Sequence, residues 1–86
     1  MIDISNGSME IYPNPAKEMA TIRIKGVQGE VLLTIVDMSG RTVKESVMKC
    51  NDNNSTAIEL RDLPSGTYFV RASADGINLI RKLVVK

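Results

Sequence analysis

The chain contains no histidine and no tryptophan, a single cysteine, and three aromatic rings in 86 residues. Without histidine it lacks the usual general base and the commonest metal ligand. Cys50 has no cysteine partner for an internal disulfide and no base nearby in sequence. Beside a polar loop it reads either as a half-buried strand-end residue or as an exposed thiol, the first being favoured. Ser65 lies in Pro64-Ser65-Gly66-Thr67, which is not a nucleophile elbow, and it would need a lysine partner to act. The six glycines are isolated turn residues, so no phosphate-cradling loop is formed. Eleven basic and ten acidic residues leave a net charge of +1, which makes no electrostatic case for nucleic acid or an anionic membrane. No apolar run reaches the ~18 residues of a membrane span. No signal-peptide pattern follows Met1, so an exported parent protein would carry this chain as one of its pieces. The expectation is therefore a non-enzymatic domain with no cofactor and no metal.

What is present is β pattern. Residues 1–8 (Met1-Ile2-Asp3-Ile4-Ser5-Asn6-Gly7-Ser8) read as a linker, and residues 9–86 as one domain. Short strands are predicted over Met9–Tyr12, Met19–Lys25, Glu30–Asp37, Arg41–Lys49 and Ser55–Leu60. In the second, Ala20, Ile22 and Ile24 point inward. The third is apolar on both faces, as a central strand requires; its β-branched content and neighbouring glycines argue against a buried helix. The fourth takes Val43 and Val47 as its apolar markers, and the fifth turns Ile58 and Leu60 to the core. Pro13-Asn14-Pro15 ends the first strand, because neither proline can donate a ladder hydrogen bond. Gly26–Gly29 and Asn51–Asn54 read as loops, and Asp37–Gly40 as a turn.

Two more strands close the chain. Leu63-Pro64-Ser65-Gly66 is a turn, with proline fixing φ and glycine free to take positive φ. From Thr67 the chain alternates, placing Tyr68, Val70 and Ala72 on one face and Phe69, Arg71 and Ser73 on the other. Asp75-Gly76 is a strong hairpin signal. The partner strand carries Leu79, Ile80, Leu83, Val84 and Val85. Seven short strands spaced by turn signals predict an all-β, Ig-like, seven-stranded antiparallel sandwich. The terminal hairpin is the element the others pack against.

Several clusters carry two readings. Asn51–Asn54 could offer oxygen ligands to calcium, but it holds one carboxylate, Asp52, and no closing glutamate, so a solvated loop is the better account. Leu32 and Val36 on the third strand and Phe69 on the sixth are expected to face outward side by side. They are either scattered exposed apolars or a docking and self-association patch. Arg81, Lys82 and Lys86 in the tail either guard an exposed sheet edge against aggregation or form a basic recognition strand. Either the patch or an edge strand could pair two copies into a homodimer. With Tyr12, Tyr68 and Phe69 as the only rings, and Tyr68 inward, a sugar-stacking platform is poorly supplied.

Four segments in order resemble a known family. They are Tyr12-Pro13-Asn14-Pro15, then Asp37-Met38-Ser39-Gly40-Arg41-Thr42-Val43, then Leu63 through Arg71, and Lys82-Leu83-Val84-Val85-Lys86 at the end. The chain is similar over about Met9–Lys86 to the C-terminal sorting domain of type IX secretion cargo, the type A Por secretion system C-terminal domain family. The resemblance implies an export signal that directs a cargo protein across the outer membrane of Bacteroidetes. It would pass through the periplasm to the cell surface or the medium. It implies recognition by the translocon and its shuttle, through Gly66, Tyr68 and the tail Lys82, Leu83, Val84, Val85 and Lys86. A cell-surface sortase commonly removes such domains, here within the linker Ser5, Asn6, Gly7 and Ser8. Two other readings stay open: an Ig- or fibronectin-like binding module of a surface adhesin or glycosidase, and a docking domain retained by a component of the secretion machinery.

Overall fold

The computed structural model describes residues 8–74 and 76–86, with side chains at all of these except 52 and 53. Five strands form one antiparallel sheet: β1 (Ser8–Tyr12), β2 (Met19–Val36), β3 (Thr42–Glu59), β4 (Gly66–Ala74) and β5 (Ile77–Val85). Among the described residues the chain is all-β, as expected, but the number of strands is five rather than seven. The predicted second and third strands are one continuous strand, β2, and the fourth and fifth are continuous in β3.

The reason lies at the two segments read as loops. Gly26–Gly29 and Asn51–Asn54 face one another, and their backbones pair: Val27 lies opposite Asp52, Gln28 opposite Asn51 and Gly29 opposite Cys50. Gly26 is skipped in the ladder, and both Gly26 and Gly29 hold positive φ, 77° and 101°. A bulge at glycine bends a strand without ending it. It also resets the alternation. Ala20, Ile22 and Ile24 are buried before it, Val27, Val31, Leu33 and Ile35 after it, so the inward face stays inward through the bend. Asn51–Asn54 is thus the strand segment opposite a bulge rather than the hairpin loop that was expected.

β3 occupies one edge of β2 along its whole length. The other edge is divided: β1 pairs with residues 21–25 and β4 with residues 32–36. The curled sheet folds its two halves over one core. Met9, Ile22, Ile24, Val31, Leu33, Ile35, Leu60, Val70 and Leu83 are its largest fully buried side chains. Each contributes about 1.5–3 kcal/mol of hydrophobic transfer. The central position predicted for residues 30–37 follows from this double pairing.

In the first half of β3 the sequence reading has the wrong parity. A second irregularity leaves Val43 out of register between Thr42 and Lys44. Beyond it Met48 and Cys50 are buried and Val47 is 63% exposed. Cys50 is therefore a core thiol, and burial pushes its pKa up.

The turn after β2 is held by one carboxylate. Asp37 accepts hydrogen bonds from the Ser39 hydroxyl at 2.7 Å and from the Ser39 and Arg41 amides at 3.0 Å, and it pairs with Arg41 Nε at 3.4 Å. The Ser39 hydroxyl, and after it the Arg41 amide, hold its pKa below the ordinary 3.8. A depressed carboxylate stabilises the fold above its unfolded value and loses that contribution as pH falls through its lower folded value. Thermal midpoints measured from neutral pH down past pH ~4 should thus fall more steeply in the wild type than in Asp37→Asn.

Candidate functional site

The terminal hairpin forms as the alternation predicts. β4 and β5 pair from Gly66 opposite Val85 to Ala74 opposite Ile77, with Gly76 in the connection at φ 73°; Asp75 lies outside the described residues. Tyr68, Val70 and Ala72 are buried on β4 and Leu83 and Val85 on β5. β5 ends the strand order, so the tail lies at a border of the sheet and not within it.

Each residue implied by the resemblance has a clear place. Tyr68 is 5% exposed and its hydroxyl donates to the Pro64 carbonyl at 2.6 Å. The ring thereby ties the Leu63–Gly66 turn to the start of β4. Tyr68→Phe should lower stability by about 1 kcal/mol, the value of one part-buried hydrogen bond, with near-unchanged folded-state spectra. Gly66 is exposed, and a Cβ built on it meets nothing within 4 Å. Leu83 and Val85 belong to the core, Val84 is half-buried, and Lys82 and Lys86 are exposed. The side chains that a receptor can touch on the tail are the two lysines, part of Val84, and Arg81 just before them.

The edge of β5 is not free along its whole length, as a strand with an unpaired border would be. Asn14 stands between two prolines, both joined by cis peptide bonds. Its side-chain nitrogen donates to the Lys82 carbonyl at 2.8 Å, and its side-chain oxygen accepts from the Val84 amide at 3.0 Å. Two residues on, the Ala16 amide donates to the Val84 carbonyl at 2.8 Å, and the Lys86 amide donates to the Ala16 carbonyl at 2.8 Å. Ala16 makes a parallel bridge with Val85 and is 1% exposed. Residues 14–16 thus act as a short strap on the last five residues of the chain. The expectation of an open edge is corrected for residues 82–86.

Before the strap the edge opens. A groove of about 440 Å³ lies between residues 9–12 of β1 and residues Arg81 and Lys82 of β5, with Asn14 at its end. The Ile80 carbonyl on that side receives the Arg81 guanidinium at 2.8 Å.

The sequence reading treated Pro13-Asn14-Pro15 only as a strand terminator and missed Asn14. A signal was present. In a triplet where both neighbours lack an N–H, a side-chain amide supplies a donor and an acceptor toward a strand that the flanking prolines cannot supply together.

Leu32, Val36 and Phe69 share the outer face of neighbouring strands, as expected. Val36 lies directly opposite Phe69, and both are half-buried. Leu32, 40% exposed, lies opposite Ser73, and the buried Thr34, opposite Arg71, separates it from the pair. The three do not form one continuous patch. Of the linker residues, Ser5, Asn6 and Gly7 lie outside the described residues, whereas Ser8 opens β1 opposite Lys25.

Comparisons with known proteins bear on the family and the fold. Residues 10–86 match the family model described as a secretion system C-terminal sorting domain. The fold is similar to part of dimeric latent PorU from Porphyromonas gingivalis, with a TM-score of 0.69 and 22% identity. That likeness covers 92% of this chain and 9% of the PorU chain, so this chain spans a small fraction of that protein's length. A comparison with curated protein sequences gives no match.

Proposed function

Because the chain belongs to the secretion system C-terminal sorting domain family, we propose that it acts as the export signal of a type IX secretion cargo, read through its terminal hairpin. The carrying observation is the family match across residues 10–86, which takes in the whole hairpin. Placement of β5 at the end of the strand order supports the reading: although residues 14–16 cover its backbone edge at 82–86, the Lys82 and Lys86 side chains stay exposed for a partner to approach. In this reading the translocon and its shuttle meet Gly66, Lys82, Lys86 and the exposed side of Val84. Tyr68, Leu83 and Val85 act from beneath, by fixing the turn and the strand. A surface sortase would cut upstream of Met9 and release the domain from its cargo. Passage would run through the periplasm to the cell surface or the medium.

The test is a fusion. The chain is placed behind a periplasmic reporter in a bacterium that carries a type IX system. Delivery of the reporter to the surface or the medium is expected, and delivery no better than that of the bare reporter would reject the signal. A second arm asks what is read. Lys82→Glu/Lys86→Glu alters two exposed positions and should leave the denaturation midpoint near that of the wild type, while most of the reporter stays in the periplasm. Unchanged delivery by this folded variant would remove the lysines from the recognised surface.

A further inference from the structure

We propose that two copies of this chain pair edge to edge through residues 44–50 of β3, about a two-fold axis at Val47. The inference does not depend on the export reading. β3 is bonded to β2 along one edge, and among the described residues no strand pairs with the other. An open edge of this length is a template for another strand unless its side chains forbid the addition.

The side chains of β3 do not forbid it; they are arranged to accept a second copy. Between the irregularity at Val43 and the bend opposite Gly26, residues 44–51 hold an unbroken ladder with β2. Val47 is the midpoint of residues 44–50. Glu45, Val47 and Lys49 are all exposed on one face. In an antiparallel pair centred on Val47, each residue meets the one equally far beyond the axis. Glu45 then lies opposite the partner's Lys49, and Lys49 opposite the partner's Glu45. Opposite charges directly across an antiparallel pair are favourable and like charges are not. A register moved so that like residues face each other would set Glu45 against the partner's Glu45, or Lys49 against the partner's Lys49. The charges therefore favour this one register in a self-pairing.

The apolar side chains follow the same symmetry. Leu32 is the direct neighbour of Val47 on β2, and the two are 40% and 63% exposed. Across the axis they would form a continuous row: Leu32, Val47, the partner's Val47, the partner's Leu32. This would cover Val47, the most exposed valine side chain, and the exposed Leu32 beside it.

Backbone direction agrees. The Asn51 amide donates to the Asn54 side chain, so at this position the N–H faces away from β2. In an antiparallel ladder such groups recur at every second residue. Glu45, Val47 and Lys49 then present their own N–H and C=O groups to the open side, where the proposed register places hydrogen-bonded pairs. The partner is a second copy because the charge order is complementary to itself.

Sedimentation velocity on the 86-residue chain over a concentration series tests this. A monomer–dimer equilibrium is expected, and a monomer at every concentration into the millimolar range would overturn the proposal. Glu45→Lys puts like charges across the axis twice, and its neighbour on β2 is the uncharged Thr34. It should raise the dissociation constant about tenfold or more. Lys49→Glu should act likewise, but it also meets Glu30 on β2, so its fold is followed by circular dichroism. The double variant Glu45→Lys/Lys49→Glu restores both cross-axis pairs and should return the constant close to the wild-type value. Val47→Lys should abolish association. A dimer indifferent to Glu45→Lys, or a folded double variant that stays as weak as the single one, refutes pairing in this register.

Discussion

Leu83→Ala is expected to lower folding stability by about 3 kcal/mol, within the usual range for truncating a buried leucine. Leu83 is 1% exposed and lies opposite the buried Tyr68 across the terminal hairpin. A domain of this length holds on the order of 4–13 kcal/mol in total, so one substitution would remove a large share. Its neighbours set the contrast. Lys82 and Lys86 are exposed, and their replacement by alanine should change stability by no more than about 0.5 kcal/mol. In urea the Leu83→Ala midpoint should fall by roughly 1–3 M, and the lysine variants should stay close to wild type. A Leu83→Ala midpoint within about 0.2 M of wild type would mean that the tail contributes little to the core. The consequence for export is direct. Deleting Lys82–Lys86 removes Leu83 and Val85 together with the lysines, so lost delivery could arise from an unfolded domain as readily as from a missing address. The address is separable from the fold only at the exposed positions, which is why the fusion experiment alters Lys82 and Lys86 alone.

Sequence patterning revealed the faces better than the breaks. Period-two runs marked the inward sides of residues 20–24, 31–35 and 68–72 correctly, because burial on one face of a strand leaves little freedom in residue type there. The Asp37–Gly40 turn was legible from its own chemistry: an aspartate first and a glycine last match its hydrogen bonds. Glycine and asparagine clusters were less informative. Gly26–Gly29 and Asn51–Asn54 carry the composition of turns, yet each satisfies its backbone through the other. Nothing within either segment shows that its partner is some twenty-five residues away. The bulge at Val43 had a larger local effect. It shifted the alternation by one residue, so that Val47 became an outward residue and Met48 and Cys50 became core. An apolar residue that β propensity alone would bury thus lies on an open edge, between charges of opposite sign. The seven predicted segments lie in β structure except at their ends Asp37, Arg41 and Leu60; what single-strand reasoning lacked was the continuity through two bends.

The strap is the part of the tail that sequence reasoning passed over, and its removal is the second large effect expected. Asn14→Ala deletes both side-chain bonds to β5, the donation to Lys82 and the acceptance from Val84. At about 1 kcal/mol each, less some return from solvent at this exposed site, the loss should be about 1–2 kcal/mol. Global stability does not distinguish the strap from any other contact, but amide exchange does. With the asparagine oxygen gone, the Val84 amide loses its acceptor and should exchange markedly faster. Amides between β4 and β5 have their acceptors within the ladder and should slow or quicken only with the global stability. Asn14→Asp separates the two bonds. It keeps an acceptor for Val84 and loses the donor to Lys82, so Val84 protection should survive better than in Asn14→Ala while the edge at Lys82 opens. If Val84 stays equally protected in Asn14→Ala, Ala16 alone holds this edge, and the asparagine between the prolines shapes the chain path without clamping the tail. If protection is lost as expected, the last five residues are kept in line by a side chain imitating a neighbouring strand, and a partner that pairs with them along this edge must first displace Asn14.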